Sequence, residues 1–298
     1  MIANSAKISD GFAELLRDRA GQAGWADPVW LETSADDPGR TTAERAVADG
    51  AERVLAAGGD GTVRAVASGL AGSQAALGII PAGTANLLAR NLGIPLAEPD
   101  AVDTALGSTT RSLDLVRITT DEAEPDRFAV MAGIGLDAAI MRSSDTSLKD
   151  RAGSLAYLVA AAKELGREPR AMRITVDDGP VLRRRAMVCL IGNVGAIQGR
   201  IELIPNARPD DGLIDVAVAS PTRLRHWIRV GLRLLTGKER SGDRVDQLAG
   251  HRVEVVMDEP DDYELDGDTM GSCRRLVAEV EPGSLQVCVP PGSPGTSR

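Results

Sequence analysis

Aromatic residues, cysteines and long apolar runs are scarce in this chain, and each scarcity excludes a class of protein. Seven aromatic residues offer no base-stacking surface, and a formal net charge of −9 disfavours a general nucleic-acid binder. The longest uninterrupted apolar run, residues 155–162, is far below the roughly 18–20 residues that a membrane-spanning helix needs. The first residues show no basic segment followed by an apolar core, so we expect no secretory signal and a cytoplasmic location.

Three cysteines, Cys189, Cys273 and Cys288, show no spacing typical of zinc sites or redox motifs. They are predicted to be buried thiols rather than a disulfide framework. The sequence also has no GxxxxGK[ST] phosphate loop and no GxSxG elbow, so it supports neither a Walker-type ATPase nor a serine hydrolase of that kind.

The composition is otherwise that of a globular protein, 43% hydrophobic and 26% charged, and 298 residues fit two domains. In residues 1–111 strands alternate with helices, and a capping box of Thr41 and Glu44 is expected to open one of those helices. This alternation predicts an α/β domain with a parallel sheet that binds its ligand at the carboxyl ends of the strands. The predicted strands are 53–57 and 77–80, and the predicted helices include 62–70 and 84–91.

Residues 112–289 are mostly consecutive strands, which predict an antiparallel, sandwich-like β-rich second domain. A turn at Asp178-Gly179 is typical of a hairpin, and residues 290–298 are predicted to be a flexible tail. The predicted strands are 112–118, 128–133, 172–176, 181–191, 213–218, 253–257, 276–280 and 285–289, with helices at 154–166 and 222–235.

The strongest local motif is GGDGT at 58–62, which follows a predicted strand and precedes a predicted helix. Its glycines allow close approach of a ligand, and the amides at the start of the helix suit a phosphate. For a generic GxG, a tight strand-to-helix connection with Asp60 as a cap is the commoner explanation. The motif also lacks the third glycine of the dinucleotide fingerprint, because Arg64 stands there.

A second glycine turn, PAGTANLLAR at 81–90, follows the next predicted strand. Successive parallel strands end at one edge of a sheet, so both turns should face one crevice. There Thr84 is either a phosphate ligand or only a helix cap. The two turns together favour a nucleotide site.

In combination, GGDGT and P-x-G-T-x-N-x-x-A-R resemble the catalytic domain of diacylglycerol kinases and sphingosine kinases, the soluble bacterial lipid kinases most closely. Weaker matches continue through most of the chain. They are residues 2–5, 112–115, 133–138, 191–193, 205–216 and 265–268. The resemblance implies an α/β nucleotide domain, a β-rich lipid-binding domain, and ATP with Mg²⁺ in the cleft between them.

Carried over to this sequence, the resemblance assigns roles residue by residue. Asp60 would act on the transferring phosphoryl group through the metal or its water shell. The residues implied to contact the nucleotide are Asn4, Thr33, Gly58, Gly59, Asp60, Gly61, Thr62, Val63, Gly83 and Thr84.

The acidic turn Asp266-Gly267-Asp268 resembles the family's DGE turn, in which a carboxylate takes the proton from the lipid hydroxyl. By spacing alone it would be a hydrated hairpin turn. The resemblance implies catalytic roles for Asp266 and Asp268. Asp268 is one methylene shorter than the family's Glu, and a displacement of about 1 Å can reduce a rate about a hundredfold.

A second acidic loop, at 209–213, is either an ordinary turn or a metal loop. The resemblance implies that it holds a structural Mg²⁺ through Asp211 and the carbonyl oxygens of Arg208 and Leu213, a donor set that suits this hard cation. The chain also departs from the family after GGDGT, where Arg64-Ala65 stands in place of the common Asn-Glu.

Residues 222–240 form a basic segment with arginines at every fourth position and a tryptophan on another face. Such a helix either lies peripherally on an anionic membrane at its inner face or exposes its arginines to water with Trp227 in the core.

The function predicted from the sequence is therefore an ATP-dependent lipid kinase that phosphorylates diacylglycerol or a related lipid. Two alternatives stay open: a kinase for NAD or another small metabolite, and a nucleotide-binding regulator with weak or no activity. A homodimer also stays open.

Overall fold

The computed structural model describes residues 1–4, 7–34, 36–135, 169–197, 201–202, 204, 206–219 and 245–293. Its helices are α1 (Phe12–Gln22), α2 (Arg40–Ala48), α3 (Asp60–Leu70), α4 (Leu87–Asn91) and α5 (Glu98–Leu106). Its strands are β1 (Ile2–Ala3), β2 (Leu31–Glu32), β3 (Arg53–Gly58), β4 (Ala76–Pro81), β5 (Thr110–Thr120), β6 (Asp126–Phe128), β7 (Met131–Ile134), β8 (Arg170–Val176), β9 (Leu182–Ala186), β10 (Val188–Gly192), β11 (Ala196–Ile197), β12 (Ile201–Glu202), β13 (Ile214–Ala219), β14 (Val245–Gly250), β15 (Arg252–Leu265) and β16 (Asp268–Cys288).

The first part of the chain is a three-layer α/β unit, as predicted. Strands β4, β3, β1 and β2 lie side by side and parallel. Side chains alternate across a strand, so Val54 and Ala56 of β3 pack on the face of α3, whereas Leu55 and Ala57 pack on the face of α1 and α5. All four parallel strands therefore end at the same edge of the sheet.

The second part is antiparallel and β-rich, which confirms the predicted fold class. Strand β15 pairs with β8 along its first half and with β7 near its end, so the strands diverge into two layers around a buried apolar core. The hairpin of β15 and β16 runs through this part of the molecule, and its turn at Asp266 and Gly267 brings the predicted acidic residues toward the first part.

Strand β16 also joins the two parts into one sheet. Its residues 286–287 pair in parallel with β4, while the rest of the strand pairs with β5 and β15. The proposed boundary at residue 111 and the tail after residue 289 stay predictions, since sheet pairing alone does not divide the chain.

Several element predictions were wrong in detail. Helix α2 is capped by Asp37 rather than by the Thr41 and Glu44 box, because the Asp37 carboxylate accepts hydrogen bonds from the amides of Thr41 and Thr42 at 3.2 and 3.0 Å. The turn before α4 is longer than expected, since Asn86 adopts a left-handed conformation and the helix begins at Leu87. Segments 128–133 and 181–191 each fall on two strands, and 276–280 and 285–289 belong to the single strand β16.

Candidate active site at the carboxyl edge of the parallel sheet

Residues predicted to contact a nucleotide lie together at one edge of the sheet. Asn4 follows β1 and donates its amide to Ala57 O at 3.0 Å, and Thr33 follows β2 with its amide 3.0 Å from Ala3 O. The GGDGT turn follows β3, and the second glycine turn follows β4. The motifs, which are separated along the chain, therefore lie at neighbouring strand ends in the fold.

The two glycine turns touch each other. The amide of Ala82 donates to Gly58 O at 2.9 Å, and a Cβ added to Gly83 would lie 2.6 Å from the Cα of Gly59. Because the obstructing atom is backbone, neither turn can move away cheaply from a side chain at position 83. Glycine is required there by close packing, and the two turns form one surface.

Asp60 links the two turns through its side chain. Its carboxylate accepts hydrogen bonds from the amides of Asn86 at 2.9 Å and Leu87 at 2.5 Å, so it caps the start of α4. Burial raises the pKa of Asp60, and the two amides counteract part of that effect. The action of Asp60 through a metal stays a prediction. What the structure shows is that Asp60 caps helix α4.

Asn86 stiffens the second turn. Its side-chain Oδ1 accepts from the amide of Gly83 at 2.9 Å, and its Nδ2 donates to Gly83 O at 2.9 Å. Asn86 is nearly buried and has a φ of 49°, a conformation that asparagine tolerates better than most residues. Thr84 is consequently held exposed at the apex of the turn.

Lys7 is a cationic residue at this edge that the sequence reasoning missed. Its Nζ lies 3.2 Å from the position that a Cβ on Gly59 would occupy. An ammonium group beside glycine amides is suited to a phosphate. The sequence feature that could have indicated Lys7 is its position three residues after Asn4, soon after strand β1.

Asp268 reaches the first glycine turn from the other part of the chain. Its Oδ2 contacts the place where Gly61 would carry a Cβ, and its side chain is 49% exposed. The structure therefore brings Asp268, predicted from a turn 200 residues away in the sequence, directly against GGDGT.

Asp266, at the same hairpin, is held differently. Its carboxylate is buried and accepts hydrogen bonds from the amides of Ala129, Val130 and Met131 at 3.1, 2.9 and 2.9 Å. Burial raises the pKa of Asp266 to about 6, although these amides and Arg64 favour its charged form. The contacts anchor the hairpin turn, and a direct catalytic role for Asp266 stays a prediction.

Arg64 stands beside Asp268 on helix α3. Its Nη2 lies 3.6 Å from Asp268 Oδ2, and its Nη1 pairs with Asp126, while its side chain is only 9% exposed. The sequence reasoning treated Arg64 only as a departure from the family pattern. The sequence carried no signal for this ion-pair network, because Asp126 and Asp268 are distant from Arg64 along the chain and meet it only through the fold.

Glu264 is a buried acid that the sequence gave no reason to single out. It is 3% exposed, and both carboxylate oxygens are buried without a hydrogen-bond partner. Burial, then the charges of Asp266 and Asp268, raise the pKa of Glu264 to about 7. Near its turn the hairpin therefore carries one acid held by amides, one half-exposed acid, and one acid whose pKa burial raises to about 7.

A second acidic cluster surrounds the predicted magnesium loop. Asp211 Oδ1 accepts from the amide of Leu213 at 3.1 Å, and Asp114 accepts from Gly212 and Gly283 at 2.7 Å each. Burial, reinforced by the charge of Asp211, raises the pKa values of Asp114 and Asp215.

The donor set at this loop fits a hard cation. Carboxylates and backbone carbonyls are the oxygen ligands that Mg²⁺ uses, and a cation would relieve the repulsion of Asp211 on Asp114 and Asp215. Within the described residues, however, no three carboxylate, thiol or imidazole side chains already converge as a metal site. Asp211, with the carbonyls of Arg208 and Leu213, stays a predicted ligand set.

A cavity of about 790 Å³ opens elsewhere, at the amino ends of the parallel strands, beside Met1, Leu31 and Arg53. The sheet separates it from the glycine turns. The phosphate-type turns and the acidic hairpin lie at the opposite edge, which is therefore the candidate site.

Several sequence predictions fall outside the described residues: the helices at 154–166 and 222–235, the basic segment 222–240, and the part of the family-like turn beyond Gly135. Among the helices that the structure describes, none is long and apolar enough to cross a membrane.

Two family profiles match the chain. The diacylglycerol kinase catalytic domain covers residues 5–118, and the YegS C-terminal NAD kinase beta sandwich-like domain covers residues 130–289.

Individual proteins agree with these profiles. The chain is 34% identical over 257 residues to a probable YegS-like lipid kinase of Xanthomonas euvesicatoria, with 82% of this chain and 81% of that protein covered. It is 31% identical over 249 residues to a diacylglycerol kinase of Mycobacterium tuberculosis, with 82% and 79% covered. A crystal structure of a diacylglycerol kinase from Bacillus anthracis has the same fold, with a TM-score of 0.73, 20% identity, and 98% and 97% of the two chains covered.

Proposed function

Because the chain belongs to the diacylglycerol kinase catalytic-domain family, we propose that it is an ATP-dependent lipid kinase that phosphorylates a hydroxyl of diacylglycerol or a related lipid. The observation that carries the proposal is the contact of the Asp268 carboxylate with Gly61 of the GGDGT turn. A half-exposed carboxylate beside a phosphate-type turn is suited to take the proton of an alcohol that attacks a phosphoryl group.

The triphosphate would lie along the two glycine turns. The absence of side chains at Gly59, Gly61 and Gly83 would let a phosphate approach the backbone of both turns closely, and the start of α3 adds its partial positive charge. Lys7 would neutralise part of the negative charge. Asn4 and Thr33, at the ends of the next two strands, would line the other side of the nucleotide.

Magnesium, when bound, would screen the phosphate charges and so favour attack at the γ-phosphorus. Asp60 would hold this ion through water, because its two oxygens already accept amide hydrogen bonds. Asp211 with the carbonyls of Arg208 and Leu213 would hold a separate, structural ion.

Asp268 would act as the general base. The lipid oxygen forms a bond to the γ-phosphorus while the bond from that phosphorus to the bridging oxygen breaks, and ADP leaves with the bonding electrons. The hydroxyl proton passes to Asp268, which can return it to water because the side chain is 49% exposed.

Access to the lipid would come from peripheral contact with a membrane at its cytoplasmic face, with the basic segment 222–240 as the contacting surface. This part of the proposal rests on the charge pattern of the sequence, 34 basic residues in an acidic chain, with several of them concentrated in that segment.

The test is transfer of label from γ-labelled ATP, with Mg²⁺, to diacylglycerol and a panel of other lipids in mixed micelles. We expect a labelled phospholipid product and a loss of at least about a hundredfold in rate in Asp268→Asn, since this change removes the base but little volume. Asp258→Asn, an exposed aspartate on the same hairpin, is the matched control and should keep wild-type activity.

Each of the other outcomes favours one of the alternative functions or excludes the proposed base. Label on NAD or another small metabolite instead of lipid would support the metabolite kinase. Tight ATP binding without transfer to any acceptor would support the regulator. Wild-type rates in Asp268→Asn would remove Asp268 from the mechanism.

A further inference from the structure

We propose that Arg64 is the positioning residue for Asp268, holding its carboxylate at the glycine turn in the orientation that accepts the proton of the lipid hydroxyl. This inference rests on the proposed function, in which Asp268 is the base. It concerns how this particular chain uses an aspartate at a turn whose family pattern has the longer glutamate.

Helix α3 gives Arg64 a fixed starting point. The helix begins at Asp60, so Arg64 lies about one turn after the residue that caps α4 and shapes the phosphate edge. The same rigid element thus carries the glycine turn for the donor phosphates and the cation that meets the base. A displacement of α3 would move both together, so their relative position is preserved.

The guanidinium group is then oriented by packing and by a second acid. Arg64 Nη1 pairs with Asp126 of β6, whose other carboxylate oxygen lies 3.4 Å from the hydroxyl of Ser68. Arg64 Nη2 also lies 3.5 Å from the sulfur of Met270. With its side chain 9% exposed, Arg64 has little freedom to leave this place.

Asp268, in contrast, needs such a partner. It lies just after the hairpin turn and is 49% exposed, so its side chain is not fixed by burial. Among the described residues, Arg64 is the cation within ion-pair distance of it, at 3.6 Å. The neighbouring acids Asp60 and Glu264 would otherwise repel its charge.

The geometry also explains why an aspartate can serve here. The arginine side chain extends from α3 toward the hairpin, and its fork faces both Asp126 and Asp268. The guanidinium of Arg64, fixed on α3, thereby holds the carboxylate of Asp268 against Gly61 although this side chain is one methylene shorter than glutamate. The two departures from the family pattern, Arg64 and Asp268, are in contact with each other.

The experiment is a double-mutant cycle on lipid phosphorylation with Arg64→Gln, Asp268→Asn and the combined variant. Arg64→Gln should lower kcat about 10- to 100-fold and change the KM for ATP less than about twofold, because the phosphate turn is intact. In the Asp268→Asn background, Arg64→Gln should have almost no further effect on kcat. Equal, additive losses in both backgrounds would overturn the proposal.

Two further variants separate positioning from folding. Arg64→Lys keeps the charge but not the planar fork, and it should recover part of the kcat that Arg64→Gln loses. Asp126→Asn removes the other ion pair of Arg64. If Arg64 had only a structural role, this variant would match Arg64→Gln both in thermal unfolding and in rate. If Arg64→Lys and Arg64→Gln both fold and both keep kcat within about twofold of wild type, the inference fails. If Asp268→Asn is as active as wild type, the proposed base itself fails.

Discussion

At the residue scale, the acids at the candidate site are chemically unequal although they belong to two short motifs. Asp60 and Asp266 accept hydrogen bonds from backbone amides, and these bonds orient the carboxylates and fix the adjacent turns. Asp268 is half exposed and contacts the glycine turn. Contacts, rather than residue type, separate the two acids that fix backbone turns from the half-exposed one, which we propose as the base.

Glu264 leads to a prediction about stability and pH. Its pKa is about 7 in the folded chain against an ordinary 4.5, so the folded state keeps a proton that the unfolded chain releases. Stability should therefore fall as pH rises from about 4.5 to 7, with on the order of 3 kcal/mol lost above that range. Glu264→Gln cannot ionise, and should be more stable than wild type at pH 8 and nearly equal at pH 4.

The measurement is urea unfolding of both proteins across this pH range, compared as a difference because Asp266 adds a pH dependence of its own. Glu122→Gln, an exposed turn residue, should follow wild type at every pH. A constant difference between Glu264→Gln and wild type from pH 4 to 8 would contradict the assignment.

At the element scale, the start of α2 shows how a local motif can be right about a helix and wrong about its cap. Thr41 and Glu44 have the spacing of a capping box, but both lie inside the helix. Asp37 accepts hydrogen bonds from three amides and from the Thr42 hydroxyl, which lowers its pKa below the ordinary value despite partial burial. The cap is formed across a Pro-Gly turn rather than within the helical register.

This cap can be tested by substitution. Asp37→Ala should destabilise the chain by about 1 kcal/mol at neutral pH, whereas Thr41→Ala should change stability by only a few tenths. Because the pKa of Asp37 is lowered by folding, its contribution should be present above the ordinary pKa of aspartate and disappear as pH falls below it. Chemical unfolding at pH 7 and pH 3 measures both effects, and a larger loss in Thr41→Ala would restore the capping box.

How much of the elements could be predicted depends on whether their signal is local. Strands β3 and β4 and helix α3 are delimited by glycine and proline, so the sequence predicted them within a few residues. The 21-residue strand β16 was not predicted as one element, because charged and glycine residues interrupt its apolar pattern. Its continuity depends on pairing with three partners, which only the tertiary structure supplies.

At the scale of the whole molecule, two regions with different sequence patterns share one sheet. The sequence correctly predicted an α/β region followed by a β-rich region, and the resemblance brought Asp60 and Asp268 to one candidate site. The ion pairs of Arg64 with Asp126 and Asp268 could not be predicted, because they depend on which face of each strand meets the neighbouring element. Those contacts are set by register and burial rather than by motif.

The shared sheet predicts that a residue of β16 stabilises the α/β half of the molecule. Leu285 of β16 is fully buried in the same core as β3, β4 and α3. Leu285→Ala should cost about 2–5 kcal/mol and should speed amide hydrogen exchange in the peptides that contain β3 and β4.

Hydrogen exchange followed by mass spectrometry makes this measurement directly. Val181→Ala truncates a half-exposed apolar side chain in the β-rich half and is the matched control, with exchange in β3 and β4 unchanged. Faster exchange confined to the antiparallel strands in Leu285→Ala would show instead that the two halves are stabilised separately.

Strand β16 also determines when the sheet can be completed during synthesis of the chain. Strands β1 to β4 are synthesised first, yet one side of β4 receives its neighbour only when residues 286–287 emerge, some 200 residues later. Until then the nascent α/β unit carries an open hydrogen-bonding edge that chaperones would need to shield. The edge of the sheet that carries the glycine turns is therefore synthesised early, but β4 gains its second neighbour only after residues 286–287 have been made.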